Sequence, residues 1–207
     1  MTLLLIVLLP LLGALLPPWF VRWGRTQSAL AAGAAAGASF LLMVSLAPRV
    51  LAGDTPTLDV PWMSSIGLDL SLRMDGLGLL FSILILGIGL LVILYARWYL
   101  SREEPMGRFY AFLLLFMASM LGVVLADNLY LLLIFWELTS LSSFLLIGFW
   151  KHLPEGRQGA RMALVVTGGG GLAMLAGFVL LAQITGTAQI SEILAAGDTV
   201  RASALYG

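Results

Sequence analysis

Six stretches of this chain are each long and apolar enough to cross a bilayer, and nothing else in the sequence limits its possible folds as much. They run from about 2 to 21, 27 to 47, 76 to 98, 109 to 126, 129 to 150 and 160 to 183, so at about 1.5 Å per residue each approaches or matches the roughly 30 Å hydrocarbon core. No water in that core can satisfy a backbone N–H or C=O, so runs of this kind fold as helices. The 207 residues are 60% hydrophobic and 11% charged, with a mean hydropathy of +1.02, as in integral membrane proteins. The expected fold class is therefore all-α integral membrane, a six-helix transmembrane bundle forming one domain over 1–207.

The charges between spans predict an orientation. Arg22, Arg25, Arg97, Arg102, Arg108, Lys151, Arg157 and Arg161 fall on one side, against Arg49, Arg73 and Arg201 on the other. The positive-inside rule puts the first group in the cytoplasm, and with it places the N-terminus, residues 48–75 and the tail 184–207 outside a bacterial inner membrane.

Residues 48–75 do not read as a span. Leu68, Leu70, Leu72 and Met74 alternate with Asp69, Ser71, Arg73 and Asp75, a period of two that predicts a strand, and Thr57 to Trp62 is placed to pair with it as an extracytoplasmic β-hairpin between the second and third spans. In the first span, Pro10 is expected to kink the helix. In the second, Gly33 and Gly37 lie four apart among small residues, a pattern that lets backbones approach closely. After Ile190 to Gly197, which reads as a short surface helix, no further apolar run follows.

Glu137 is the single carboxylate deep within a span, close to the midpoint of 129–150. Insertion of an ionised acid at that depth costs about 2.5 to 3.5 kcal/mol, so such a group is neutral, paired or hydrated. Each of these states suits proton or ion handling. Thr139, Ser140, Ser142 and Ser143 follow it; hydroxyls in apolar helices commonly bond the preceding turn, and they also tolerate water that extends a hydrated path. None of the spans carries a Lys, Arg or His at mid-membrane depth, so a basic partner for Glu137 has to come from elsewhere. Lys151 reads as a snorkelling anchor. His152, the only histidine, reads as an interfacial residue or a point of proton entry. Asp127 reads as a turn and cap residue before the fifth span. Gly168 to Gly171 follows no strand and lacks the Lys-Ser or Lys-Thr of a phosphate loop, which leaves helix loosening or close packing.

Other classes are disfavoured. The 11 basic and 11 acidic residues cancel without forming a basic stripe, so nucleic acid is not an expected partner. Zero cysteines exclude disulfides and thiolate-held metal or iron–sulfur centres within the chain. No cofactor is expected.

The run Phe135-Trp-Glu137-Leu-Thr-Ser-Leu-Ser-Ser-Phe-Leu-Leu-Ile-Gly-Phe-Trp150 strongly resembles the large A subunit of Mrp-type multisubunit cation/proton antiporters. The likeness extends through Tyr95 to Glu104, Gly107 to Tyr110, Leu121 to Asn128 and Val166 to Leu172. That family is homologous to the antiporter-like subunits of respiratory complex I, in which the carboxylate matching Glu137 pairs with a lysine on the seventh helix. The resemblance implies a larger fold of about fourteen helices or more, of which this chain is the part before the seventh. It further implies that Glu137 tunes a partner lysine, each pKa unit corresponding to about 1.4 kcal/mol. Glycines where the complex I relatives carry an Arg and an Asp favour the Mrp branch. The implied function is a subunit of a monovalent cation (Na⁺)/proton antiporter, a secondary transporter rather than an enzyme, with the other antiporter subunits, the lipid bilayer, protons and monovalent cations as partners. The alternative is the proton-pumping membrane subunit of a redox complex such as complex I or a membrane-bound hydrogenase.

Overall fold

The computed structural model describes residues 1–150 and 152–197, so the anchor role of Lys151 and the last ten residues of the tail lie outside the described residues. Among the described residues, six helical segments are long and apolar enough to span a membrane. The first is built from α1 (Thr2–Gly13), α2 (Leu16–Phe20) and a single tight turn, Val21–Trp23. The others are α3 (Arg25–Leu51), α4 (Gly76–Tyr99), α5 (Met106–Leu125), α6 (Leu129–Ile147) and α7 (Pro154–Thr185). A short helix, α8 (Ile190–Ala195), follows. Several of these overrun the apolar stretches seen in sequence: α3 continues past Pro48 to Leu51, and α7 begins six residues before 160. Hydropathy marks only the part of a helix that lies in hydrocarbon, whereas the backbone continues its hydrogen bonds until a cap or loop stops it.

Pro10 lies inside α1, and the helix is interrupted four residues later, at Ala14 and Leu15, ahead of Pro17 and Pro18. The close helix contact also falls elsewhere than at the small-residue motif of the second span. A Cβ on Gly33 or Gly37 would meet nothing within 4 Å, whereas one on Gly13 of α1 would stand 2.5 Å from the Cβ of Ala35 on α3. The buried stripe of α3 is Ser28, Ala32, Ala35, Ala36, Ser39 and Met43, a helical period offset from both glycines. Within it, Ser39 donates to the carbonyl of Ile6 at 2.6 Å and Ser28 to that of Pro17 at 3.0 Å, which ties α3 to the first span. α5 is the most buried span, with Tyr110, Leu114, Met117 and Leu121 in the core.

The hairpin forms as expected, as a two-stranded antiparallel sheet of β1 (Thr57–Met63) and β2 (Leu68–Arg73). Its register runs from Thr57 opposite Arg73 to Val60 opposite Leu70, then shifts before Met63 pairs with Leu68. The irregularity falls at Pro61 and Trp62, where proline cannot donate to the ladder. Asp69 steadies the turn, accepting from the Ser64 hydroxyl at 2.6 Å and the Trp62 N–H at 3.0 Å. Those two hydrogen bonds, the Ser64 one foremost, hold its carboxyl below the usual carboxylate range.

At the end of the bundle that carries the hairpin, irregular backbone is knitted together. The Asp127 N–H donates to Ser71 O at 2.9 Å, Leu129 N–H to Ala188 O at 2.9 Å, and Ile190 N–H to Asp127 O at 2.8 Å. Asn128 is the cap of α6, accepting from the N–H groups of Tyr130 and Leu131, while its amide donates to Gly67 O at 2.8 Å. Asp127 instead caps α8, its carboxylate accepting from the Ser191 N–H at 2.9 Å and hydroxyl at 2.7 Å. The cap role expected of Asp127 before the fifth span thus belongs to its neighbour, because only Asn128 stands where its side chain reaches the first free N–H groups of α6.

Gly13→Val should drive α1 from α3 and destabilise the protein by about 1 to 3 kcal/mol through overpacking, whereas Gly33→Val, directed into open space, should leave packing intact. Thermal unfolding of the detergent-extracted full-length protein should show a lowered midpoint for the first variant only.

Candidate functional site

Glu137 sits on α6 eight residues from its start at Leu129 and ten from its end at Ile147, about 12 and 15 Å along the axis. It is half-buried, and its side chain turns toward α7. A Cβ built on Gly171 would overlap the carboxyl oxygen Oε1, so the carboxyl group occupies a notch that exists because residue 171 has no side chain. Gly168, Gly169 and Gly170 have open space at the same position. The helix runs through all four glycines unbroken. Of the two readings of the glycine run, close packing holds, and it holds at a single glycine; the run was visible in sequence, whereas the member facing α6 depends on the angle at which two helices meet.

The Oε1 atom is buried and, among the described residues, has no hydrogen-bond partner; Ser82 Oγ on α4 is the other such side-chain atom. Burying a polar group without a partner is costly, more so for a charged one, and sites of this kind call for an explanation in water, an ion or a role in chemistry.

The neighbouring hydroxyls are engaged with their own helix. Thr139 donates to Trp136 O at 2.6 Å, Ser140 to the same carbonyl at 3.3 Å, and Ser142 to Leu138 O at 2.8 Å and Thr139 O at 3.0 Å. Their protons are therefore committed to the backbone, which leaves their oxygens able to accept. Ser143 is half-buried one turn further along. His152 is exposed in the connection between α6 and α7, beyond the end of the helix that carries Glu137. The structure thus gathers Glu137 with Gly171 and places His152 apart from both. Among the described residues no group of three His, Cys, Asp or Glu side chains is placed to hold a metal ion.

Comparison with known proteins gives the chain a family. Residues 62–110 match the family model described as NADH-ubiquinone oxidoreductase (complex I), chain 5 N-terminus, and residues 126–205 match that described as NADH:quinone oxidoreductase/Mrp antiporter, TM. The A/B subunit of a probable K⁺/H⁺ antiporter of Rhizobium meliloti (strain 1021) is 48% identical over 201 residues, 97% of this chain and 20% of that protein. The A1 subunit of a Na⁺/H⁺ antiporter of Staphylococcus haemolyticus (strain JCSC1435) is 46% identical over 167 residues, 81% of this chain and 21% of that protein. The Mrp complex from Dietzia sp. DQ12-45-1b superposes with a TM-score of 0.86 at 35% identity, covering 100% of this chain and 22% of the matched chain. The chain belongs to the family of large Mrp-type antiporter subunits that these relatives represent, related to the membrane subunits of complex I, and corresponds to their N-terminal part. It spans about a fifth of the length of the curated relatives it matches.

If the notch is what seats the carboxyl group, Gly171→Ala should destabilise the full-length protein by about 1 to 3 kcal/mol while Gly170→Ala has little effect. Adding Glu137→Ala should recover most of the loss at Gly171 and none at Gly170. Melting temperatures of the single and double variants form the cycle that checks it.

Proposed function

We propose that the chain supplies the N-terminal helices of a monovalent cation/proton antiporter subunit, and that Glu137 is one station of its proton or ion relay. The observation that carries this reading is a carboxyl group near the middle of α6 whose Oε1, among the described residues, is buried without a partner. Such a group is stabilised by a proton, a cation or a basic side chain, and exchange among these is the elementary act of a relay. The relatives, subunits of a probable K⁺/H⁺ and of a Na⁺/H⁺ antiporter, support this reading over a redox-driven pump.

The supporting groups have graded roles. Ser140, three residues on and on the same side of α6 as Glu137, is buried with its proton bonded to the helix, so it can accept a hydrogen bond from water entering beside Glu137. Thr139 and Ser143 lie on another face of α6, where their hydroxyl oxygens could carry water further along the helix. His152, exposed at the helix connection, serves as a collector of protons at the membrane surface and hands them to water rather than to Glu137 directly. The partner cation of Glu137 comes from a helix or subunit packed on α7, since only Ala160 and Gly171 of that helix are buried. Other subunits of the antiporter, the bilayer, protons and a monovalent cation are the partners that this function requires.

Within the full-length assembly, Glu137→Gln should remove most cation-dependent proton movement while the complex still assembles, as read by pH-sensitive dye in inverted vesicles. Flux at the wild-type rate in an assembled variant would remove Glu137 from the relay.

The orientation follows from charge. We place the arginine-rich end in the cytoplasm and the hairpin, the N-terminus and the tail outside a bacterial cell membrane, as the positive-inside rule directs. The chain has no cysteine, so Ser64→Cys in the hairpin turn should react with a membrane-impermeant maleimide added to intact cells. Protection there, with labelling only after the membrane is opened, would invert the topology.

A further inference from the structure

The arginine-rich end of the bundle carries two neighbouring hollows that share residues. One, of about 730 Å³, is polar and is lined by Arg25, Arg97 and Arg102 together with Thr26, Trp98 and Leu100. The other, of about 620 Å³, is a groove between α3 and α4 that begins at the same Thr26, Arg97 and Trp98 and continues along Gly33, Leu90 and Leu94.

The first hollow concentrates positive charge. Arg25 donates to the carbonyls of Ser101 at 2.5 Å and Leu100 at 2.7 Å, and Arg97 donates to the Thr26 hydroxyl at 2.6 Å. These acceptors are neutral, so they orient two guanidinium groups without cancelling their charge. Among the described residues, none of the three arginines forms an ion pair. The nearby Glu104 is turned to the Ser101 N–H at 3.0 Å and the Trp150 indole at 2.6 Å, and Glu103 is exposed. Guanidinium groups held in this way suit a phosphate, to which they donate paired hydrogen bonds.

The second hollow supplies what a free anion does not need. From Thr26 to Gly33 it descends about 10 Å along the helix, a third of the roughly 30 Å hydrocarbon core, between small residues of α3 and leucines of α4. A Cβ on Gly33 would meet nothing within 4 Å, so the glycine widens a groove instead of admitting a helix. Trp98, 79% exposed, stands at the boundary between the two hollows, where indole rings sit at headgroup level.

We propose that these hollows form one site for an anionic phospholipid of the leaflet on the arginine-rich side, its phosphate among Arg25, Arg97 and Arg102 and one acyl chain along Gly33, Leu90 and Leu94. Charge at the mouth and an apolar groove of acyl-chain depth directly beneath it are the two halves of such a ligand, and basic pockets between membrane helices recognise acidic headgroups. The site is independent of Glu137 and of the ion transported.

The test uses the full-length assembly reconstituted in phosphatidylcholine vesicles containing phosphatidylglycerol with a photoactivatable diazirine on one acyl chain, set against phosphatidylcholine carrying the same chain. Peptides containing Gly33 or Leu94 should be labelled at least about fivefold more by the anionic probe, the factor that one basic residue contributes near such a headgroup. Arg97→Gln with Arg102→Gln should bring labelling down to the phosphatidylcholine level. Gly33→Phe, which fills the groove without touching the arginines, should remove acyl labelling on its own while flux in vesicles stays at the wild-type rate. Equal labelling by the two probes, or labelling unchanged by the arginine substitutions, would overturn the proposal. So would complete displacement by inorganic phosphate alone, which marks a simple anion site, and so would crosslinking of Leu94 to a protein helix instead of lipid, which marks a subunit contact.

Discussion

Hydrocarbon offers no hydrogen bonds, and the rest of this molecule follows from that constraint. Along the spans, backbone groups are satisfied within helices, and the hydroxyls of Ser119, Thr139, Ser140, Ser142 and Thr167 turn back onto carbonyls of their own helix. Where the backbone leaves helical geometry, it does so at the ends of the bundle and is paired across elements, as when Asp127 and Asn128 join the hairpin, α6 and the tail. Set against this general satisfaction, a carboxyl oxygen left buried at mid-helix without a partner among the described residues is a departure with a physical cost. The structure bears that cost where α6 meets α7 at the bare backbone of Gly171.

Much of this was legible in the sequence. Six spans follow from hydropathy and the hairpin from the alternation Leu68 to Asp75, because both patterns are properties of one element in one environment. The place of Glu137 near the middle of its helix follows from counting residues. Other features depend on how elements meet. Gly33 and Gly37 carry the spacing of a packing motif, yet α3 turns Ala32, Ala35 and Ser39 to its neighbour, and the contact is completed by Gly13 from the first span. A helix presents several small-residue faces at once, and the partner's shape selects among them. The same holds for Gly171 among four consecutive glycines and for Asp127, whose partner Ser191 lies 64 residues away.

The two ends of the bundle are built on different principles. At the hairpin end, cross-element hydrogen bonds fix a rigid cover over the helix termini. At the other end, Arg22 lies over Trp19 at 4.5 Å, Arg97 over Trp98 at 5.1 Å, and Tyr95 stacks on Tyr99 at 5.0 Å. These side chains stabilise one another through cation–π and stacking contacts, and belts of basic and aromatic residues are also what a headgroup layer favours. A bound anionic lipid fits that principle, since it would compensate charge that no carboxylate of the described residues neutralises.

The position of Glu137 bears on the relay proposed for it. Were it turned into the core around Tyr110 and Leu114, any partner would have to displace close-packed side chains, at a cost of several kcal/mol. It lies instead between α6 and α7, and α7 buries only Ala160 and Gly171 while Val165, Val166 and Leu172 are exposed along its length. An acid at that margin is screened from bulk water by one helix yet reachable by a side chain or water file arriving along the other face of it. The bare backbone of Gly171 gives the carboxyl group its seat against α7. In the relay proposed for Glu137, a partner would therefore come to α7, without a rearrangement of the spans behind it.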